Sequence, residues 1–319
     1  MSERGSLRPP APDGGQGGVS ERPQRPAIDP RRLATPSGVA EVLSRYGLSP
    51  RKSLGQNFLV DRHIVAKILD AAQLSPPDTV LEIGPGLGVL TWELAQRVQA
   101  VVAVELDAGL VRWLRELFAE HYHVHLVHGD ALEVDLAALL AKHPPRAGGS
   151  AKVLANLPYY ITSPLLMRLL EENLPLSILV VMVQKEVARR LSARPGSKEY
   201  GALSVAVQLR STVELVATVP PRVFFPPPEV ESAVVRLALR PLPAEAGDGR
   251  FLHAVVRAAF AQRRKTLRNA LQGVAGLWDK AAVPAALAAA GIDGSRRGET
   301  LSVEEFVRLA AALQAASAG

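Results

Sequence analysis

Thr79-Val80-Leu81-Glu82-Ile83 runs directly into Gly84-Pro85-Gly86-Leu87-Gly88, and this passage decides how the rest of the chain is read. The first five residues are largely apolar or β-branched, as in a buried strand. Three glycines then follow at alternate positions, where backbone can turn sharply and approach a ligand without a Cβ in the way. Beyond them Leu90, Leu94 and Val98 recur every fourth residue, the pattern of a helix's buried face. A dinucleotide fingerprint would need a further glycine where Val89 stands. The turn therefore fits a ligand without a pyrophosphate, or a plain tight turn.

Working outward, short strands are predicted at Val101–Glu105, His123–Val127, Lys152–Ala155 and Ile178–Val183, alternating with helical stretches. Such alternation implies an α/β fold with a mainly parallel sheet covered on both faces. Val213–Val219 and Ala233–Leu239, on either side of a proline-rich stretch, fit two closing strands. Glu105 ends the second strand, about twenty residues after the glycines, where a carboxylate can accept both hydroxyls of a ribose. Asp130 follows the third strand and is placed to accept from an adenine amino group. Either acid alone also reads as a loop cap or a solvated residue. Gathered outside the carboxyl ends of the strands, the set fits an adenosyl cofactor.

The fourth strand ends in Ala155-Asn156-Leu157-Pro158-Tyr159-Tyr160. Asn156-Leu157-Pro158-Tyr159 resembles the (Asp/Asn/Ser)-Pro-Pro-(Tyr/Phe) signature of amino-group methyltransferases. An adenine amine is a poor nucleophile because its lone pair is delocalised into the ring. The Asn156 side-chain oxygen and a carbonyl near Leu157 can accept its two N–H bonds and favour a pyramidal nitrogen. Pro158 stiffens the turn and Tyr159 offers a face to an extruded base. Catalysis is then orientation and electrostatics around an in-line displacement, with no metal. As a bare tetrapeptide the same residues read as a strand-ending turn.

With these motifs in view, residues 45–315 resemble the ribosomal RNA adenine dimethyltransferase family of the KsgA/RsmA type. The resemblance is carried by Lys52–Leu59, the glycine turn, Glu105-Leu106-Asp107, Gly129-Asp130-Ala131 and Asn156–Tyr159. It continues through Gln184–Val187, Phe224–Ser232 and Gln262-Arg263-Arg264-Lys265-Thr266. It implies a class I, Rossmann-like methyltransferase with a small C-terminal all-helical domain, using S-adenosyl-L-methionine. It also implies cofactor contacts from Asn57, Leu59, Gly84, Glu105, Asp130 and Asn156. The substrate it implies is a pair of adjacent adenines near the 3′ end of 16S rRNA in the small ribosomal subunit, each methylated twice at N6. Tyr160, where many members have Asn, and Glu229, where many have Lys, depart from the pattern.

Length and composition agree with this organisation. The chain has 319 residues, 48% hydrophobic and 21% charged, and a formal charge of +6, which suits a polyanionic partner. It has no cysteine, so disulfides and cysteine-ligated zinc are excluded. No apolar run is long enough to span a bilayer, and a cytoplasmic location without membrane contact is expected. Residues 1–35 are rich in Pro, Gly, Arg and Ser and are expected to be a disordered tail. Residues 36–242 are expected to form the catalytic domain and 243–319 a helical RNA-binding domain, joined through a linker at Leu242–Arg250. Ser302 and Glu305 are spaced as a capping box before the last helix. Nothing suggests an obligate partner chain, so a monomer is expected.

Three other groups carry two readings each. Phe224 is read as stacking under the target adenine opposite Tyr159, or as core; Phe225 is read as core or rim. Arg257, Arg264 and Arg268 lie at seven- and four-residue spacing, hence on one stripe of a helix, flanked by Arg263 and Lys265. Such a stripe reads as a solvated face or as phosphate contacts to RNA, and the latter is expected because no acid lies between Phe251 and Gln272. His121, His123 and His125 alternate on a strand edge opposite an expected buried face of Tyr122, Val124 and Leu126. No carboxylate completes a ligand set there, so no metal is expected. A large-subunit rRNA adenine methyltransferase and a small-subunit assembly checkpoint are the competing functions.

Overall fold

The computed structural model describes residues 28–247, 249–274 and 276–318. In chain order its elements are α1 (Pro36–Tyr46), β1 (Phe58–Leu59), α2 (Arg62–Ala72), β2 (Thr79–Ile83), α3 (Val89–Ala95), β3 (Ala100–Glu105) and α4 (Ala108–Leu117). They continue with β4 (Val124–His128), α5 (Leu136–Lys142), β5 (Ala151–Asn156), α6 (Thr162–Glu171), β6 (Leu176–Gln184), α7 (Lys185–Leu191), α8 (Ala202–Arg210) and β7 (Ser211–Val219). The last are β8 (Phe224–Phe225), β9 (Ser232–Leu239), α9 (Gly249–Ala261), α10 (Leu267–Gln272), α11 (Val283–Ala289) and α12 (Val303–Ala318).

Seven strands form one sheet in the order β4-β3-β2-β5-β6-β9-β7. The first five pair in parallel, and β9 runs antiparallel to both β6 and β7. Strand order reverses between β2 and β5, the point where sheets of this kind open a crevice at their carboxyl ends. Register then positions the site. Ile83 pairs with Val104 on one side and Ala155 on the other, so Gly84, Glu105 and Asn156 leave the sheet at one level.

The central strands are apolar on both faces because helices cover both. Leu81, Val102, Val153 and Leu179 pack under α5, α6 and α7, while Val80, Val101, Leu154 and Val180 pack under α2 and α3. Each such side chain contributes about 1.5–3 kcal/mol when fully buried. At the amino end of the sheet Lys152 and Asp78 form a buried pair at 2.8 Å, and Asp78 also accepts from the Ser75 and Ser150 amides. A second core joins α9–α12 around Leu252, Val256, Leu267, Leu287 and Phe306. Tyr200, Val205 and Leu209 from in and before α8 enter that core, and the Tyr200 hydroxyl donates to the Leu301 carbonyl at 2.9 Å.

Several expectations change in three dimensions. Residues 28–35 were expected in the tail, yet Pro30–Ala34 make a 3-10 turn and Leu33 is fully buried beside Val39 and Val42. Residues 1–27 lie outside the described residues. Within the expected linker, Ala244–Ala246 turn so that Ala246 is buried in the helical core. The capping box forms as read: Glu305 N donates to Ser302 Oγ at 3.2 Å and Ser302 N to Glu305 Oε2 at 2.8 Å.

The histidine alternation does not survive, because the strand starts at Val124 and residues 122 and 123 lie in the turn before it. Tyr122 is 85% exposed rather than buried. His123 Nε2 meets the Ala95 carbonyl, His121 packs on Trp92 and Phe118, and His125 stacks on His143. No group of three ligating side chains among the described residues is arranged to hold a metal. No helix among them is long and apolar enough to cross a membrane.

Candidate active site

The glycine turn is built as its spacing demands. Gly84, Gly86 and Gly88 have φ of +67°, +60° and +88°, backbone that residues with a Cβ rarely adopt. Gly84 N donates to the Val104 carbonyl and Gly88 N to the Pro85 carbonyl, both at 2.9 Å, so the turn is anchored to β3 and closed on itself. It borders a cleft of about 1030 Å³, open mouth included.

Glu105 is 7% exposed at the end of β3. Its Oε2 accepts from Gly86 N at 3.1 Å and its Oε1 from Asp107 N at 2.8 Å. One carboxylate thus holds the glycine turn and its own loop, and each oxygen keeps a second lone pair for a ligand. Burial pushes its carboxyl up, opposed by those backbone amides. Asp130 Oδ1 accepts from Leu132 N at 2.8 Å. Asp107 is also buried; it caps α4 and receives Gln56 Nε2 and Arg51 Nε, each at 3.2 Å. That pair of contacts fastens the segment before β1 to the loop after β3.

The segment so fastened completes the site. β1 and β8 form a two-stranded ribbon in which Leu59 faces Phe224 and Phe58 faces Phe225. Asn57, just before it, donates from Nδ2 to the Gly55 carbonyl and accepts at its own carbonyl from Asn156 Nδ2, both at 3.1 Å. With its amide nitrogen engaged, Asn156 has Oδ1 as the free acceptor of its side chain. Leu157 N donates to the Met182 carbonyl, and the Pro158 carbonyl receives Ile161 N and Thr162 Oγ1, which fixes the corner between β5 and α6. The Tyr159 hydroxyl is 2.7 Å from Ser232 Oγ on β9, and burial raises its pKa.

Asn57, Leu59, Gly84, Glu105, Asp130, Asn156, Leu157, Pro158, Tyr159 and Phe224 therefore line one cleft. Phe224 does so while only 4% exposed and packed among Leu59, Val219 and Val223, so it belongs to the wall and to the core together. Phe225 is half-buried beside the cluster around Phe58. Reading along the chain missed Ser232, Gln56 and Glu82. Glu82 is 1% exposed on β2 yet reaches the cleft. An acid inside an otherwise apolar strand was the available signal.

The basic residues are divided rather than aligned. α9 ends at Ala261 and α10 begins at Leu267 behind its N-cap Thr266, so Arg257, Arg264 and Arg268 do not share one helix. Acids absent from this stretch arrive from elsewhere in the fold. Arg257 pairs with Glu171 of α6 at 2.5 Å. Arg263 donates to the Lys198 and Tyr200 carbonyls at 3.0 and 3.2 Å and lies 3.5 Å from Glu299. Arg264, Lys265 and Arg268 are exposed.

A parallel sheet with antiparallel closing strands, a glycine turn, an acid ending the next strand and an Asn-Leu-Pro-Tyr corner at the switch point define a class I S-adenosylmethionine-dependent methyltransferase. Residues 47–315 match the family described as ribosomal RNA adenine dimethylase, and the chain belongs to that family. It is 51% identical over 284 residues to ribosomal RNA small subunit methyltransferase A of Pelotomaculum thermopropionicum, spanning 87% of this chain and 96% of that one. Against the protein of the same name from Moorella thermoacetica it is 50% identical, spanning 88% and 99%. Among solved structures it resembles a dimethyladenosine transferase from Plasmodium falciparum, with TM-score 0.64 and 26% identity over 79% of this chain and 95% of that one. It also resembles the 23S rRNA methyltransferase ErmE, with TM-score 0.57 and 32% identity over 81% and 100%.

Proposed function

We propose that the protein transfers methyl groups to N6 of two adjacent adenines near the 3′ end of 16S rRNA, two per adenine, as a step in small-subunit maturation. The observation that carries this reading is Asn156, whose amide nitrogen is tied to the Asn57 carbonyl in a cleft that Gly84, Glu105 and Asp130 also line. The cleft suits S-adenosylmethionine: its glycines expose backbone, Glu105 and Asp130 keep lone pairs, and Glu82 carries a buried oxygen without a partner among the described residues. When bound, the cofactor supplies a methyl group on a sulfonium.

The chain's residues do the rest. Glu105 is the ribose acceptor and Asp130 accepts from the adenine amino group of the cofactor, with Asn57, Leu59 and Gly84 shaping the remaining wall. Asn156 Oδ1 and the Leu157 carbonyl accept the N–H bonds of the target amine and localise its lone pair. Pro158 stiffens the corner. Tyr159, steadied by Ser232, and Phe224 sandwich the extruded base. Residues 36–242 carry the chemistry, and 243–319 grip RNA as part of a monomer needing no metal. Arg264, Lys265 and Arg268 supply phosphate contacts, while Arg257 and Arg263 also brace the helical unit on the catalytic one.

Relatives named for the small subunit share about half of the residues over nearly their whole length, which favours that substrate over the large-subunit one. The likeness to ErmE keeps the large-subunit reading as the alternative. Incubation with unmethylated 30S and 50S subunits, followed by mapping of methylated adenines, separates the two. Dimethyladenosine confined to 23S rRNA would overturn the proposal.

A further inference from the structure

Glu82 is the one acid of the cleft that the chemistry above leaves without a task. It lies on β2, 1% exposed, and lines the cleft together with Gly84 and Gly86. Its polar neighbours are Thr91 on α3 and Glu105 on β3. Neither Glu82 Oε2 nor Thr91 Oγ1 has a hydrogen-bond partner of good geometry among the described residues. No cation among those residues offsets the carboxyl, and the charged group that does face it has the same sign. A buried carboxylate in that setting is costly, which favours its protonated form.

We propose that Glu82 is a proton-linked counter-charge for the cofactor: neutral in the empty cleft, it ionises as the cationic ligand binds and releases its proton to solvent. The inference rests on the cofactor assignment and adds a step to it. S-adenosylmethionine carries a net positive charge, so its arrival places a cation in a low-dielectric cleft where Glu82 has no cationic partner among the described residues. Burial raises the Glu82 carboxyl to about 8, Thr91 opposing the rise and Glu105 adding to it. The O–H bond of the carboxyl breaks, its electrons remain on oxygen, and no other covalent bond changes. The site then favours the charged donor, and its affinity depends on pH where ordinary carboxylates are fully ionised.

Titration calorimetry of the full chain with S-adenosylmethionine at pH 7, repeated in buffers of different ionisation enthalpy, reads the proton directly. The wild type should release close to one proton per cofactor bound, and Glu82→Gln should release none. The cofactor's own amino group titrates nearby at about 8, so affinity is compared as the ratio of wild type to Glu82→Gln. That ratio should rise about tenfold from pH 7 to pH 9. Should the variant fail to fold, infrared difference spectra of the wild type serve instead. A protonated carboxyl band present at pH 7 should vanish on adding cofactor. Binding with a heat independent of buffer, an unchanged ratio, or a band that persists would overturn the role of Glu82 alone. Absence of any binding would overturn the cofactor assignment as well.

Discussion

The side-chain amide of Asn156 donates to the backbone carbonyl of Asn57 at 3.1 Å, across 99 residues of chain. That bond engages the nitrogen end of the amide and leaves the oxygen end as the acceptor the proposed chemistry needs. An Asn whose nitrogen pointed inward would repel an amine hydrogen; with the nitrogen held by Asn57, the oxygen is offered instead. The ribbon of β1 and β8 is what brings Asn57 there.

Asn156→Ala should therefore lower methyl transfer by about 10²–10³-fold, the scale of losing one preorganised hydrogen-bonding group. RNA affinity should be nearly unchanged. Parallel measurements of methyl incorporation and RNA binding check this; equal loss of both would remove the catalytic role.

Glu105 accepts from two backbone amides and is proposed to accept from the ribose as well. Glu105→Ala should weaken S-adenosylmethionine binding by about 1–3 kcal/mol. It should also lower the melting temperature, because Gly86 N and Asp107 N lose their acceptor. Calorimetry showing unaltered cofactor affinity would count against the ribose contact.

Tyr159 and Ser232 share one O–H···O bond at 2.7 Å. Tyr159→Phe and Ser232→Ala should each slow single-turnover transfer, and the double variant should be no slower than the worse single one. The coupling expected is about 0.5–1.5 kcal/mol. Additive losses would mean the hydroxyls act separately.

Arg264 and Arg268 are exposed on the turn and helix beyond α9. Reversing both to Glu should weaken RNA binding and flatten its salt dependence by about 0.7–0.9 in log–log slope for each phosphate no longer neutralised. Arg257→Ala, which breaks a pair with Glu171, should alter the slope less. A slope indifferent to the double reversal would leave this surface merely solvated.

Lys152 and Asp78 tie the start of β5 to the start of β2 inside the protein. Burial pushes the Asp78 carboxyl up, but hydrogen bonds from Lys152, Ser150 and Ser75 outweigh it and hold the group below its ordinary value. A depressed carboxyl stabilises the fold above its unfolded pKa of about 3.9, and that contribution disappears as pH falls through the folded value. Asp78→Asn should flatten the acid limb of stability below pH 4, and Lys152→Met should cost about 3–5 kcal/mol at neutral pH. Urea melts at several pH values measure both.

Local order was readable along the chain wherever one element supplies the whole signal. The strand Thr79–Ile83 ends where its apolar run meets the first glycine, and the Ser302–Glu305 cap forms between residues three apart. The arginine stripe failed because periodicity assumes an unbroken helix, and Thr266 starts a new one. The histidine face failed likewise: a turn, not a strand, holds residues 122 and 123. Ser232 was given no role because its partner Tyr159 lies 73 residues away, whereas Glu82 was passed over although an acid within an apolar strand marked it.

The order of strand, glycine turn, acid and Asn-Leu-Pro-Tyr corner by itself determined the fold class and pointed to methyl transfer, since each motif carries its own conformational and bonding requirement. Tertiary structure alone decided what the Asn156 amide nitrogen bonds to, which arginines are already engaged by Glu171 and Glu299, and which buried carboxyl oxygen has no partner among the described residues. Those are questions of pairing between residues far apart in the chain, and only the packed sheet and helices bring the partners within bonding distance.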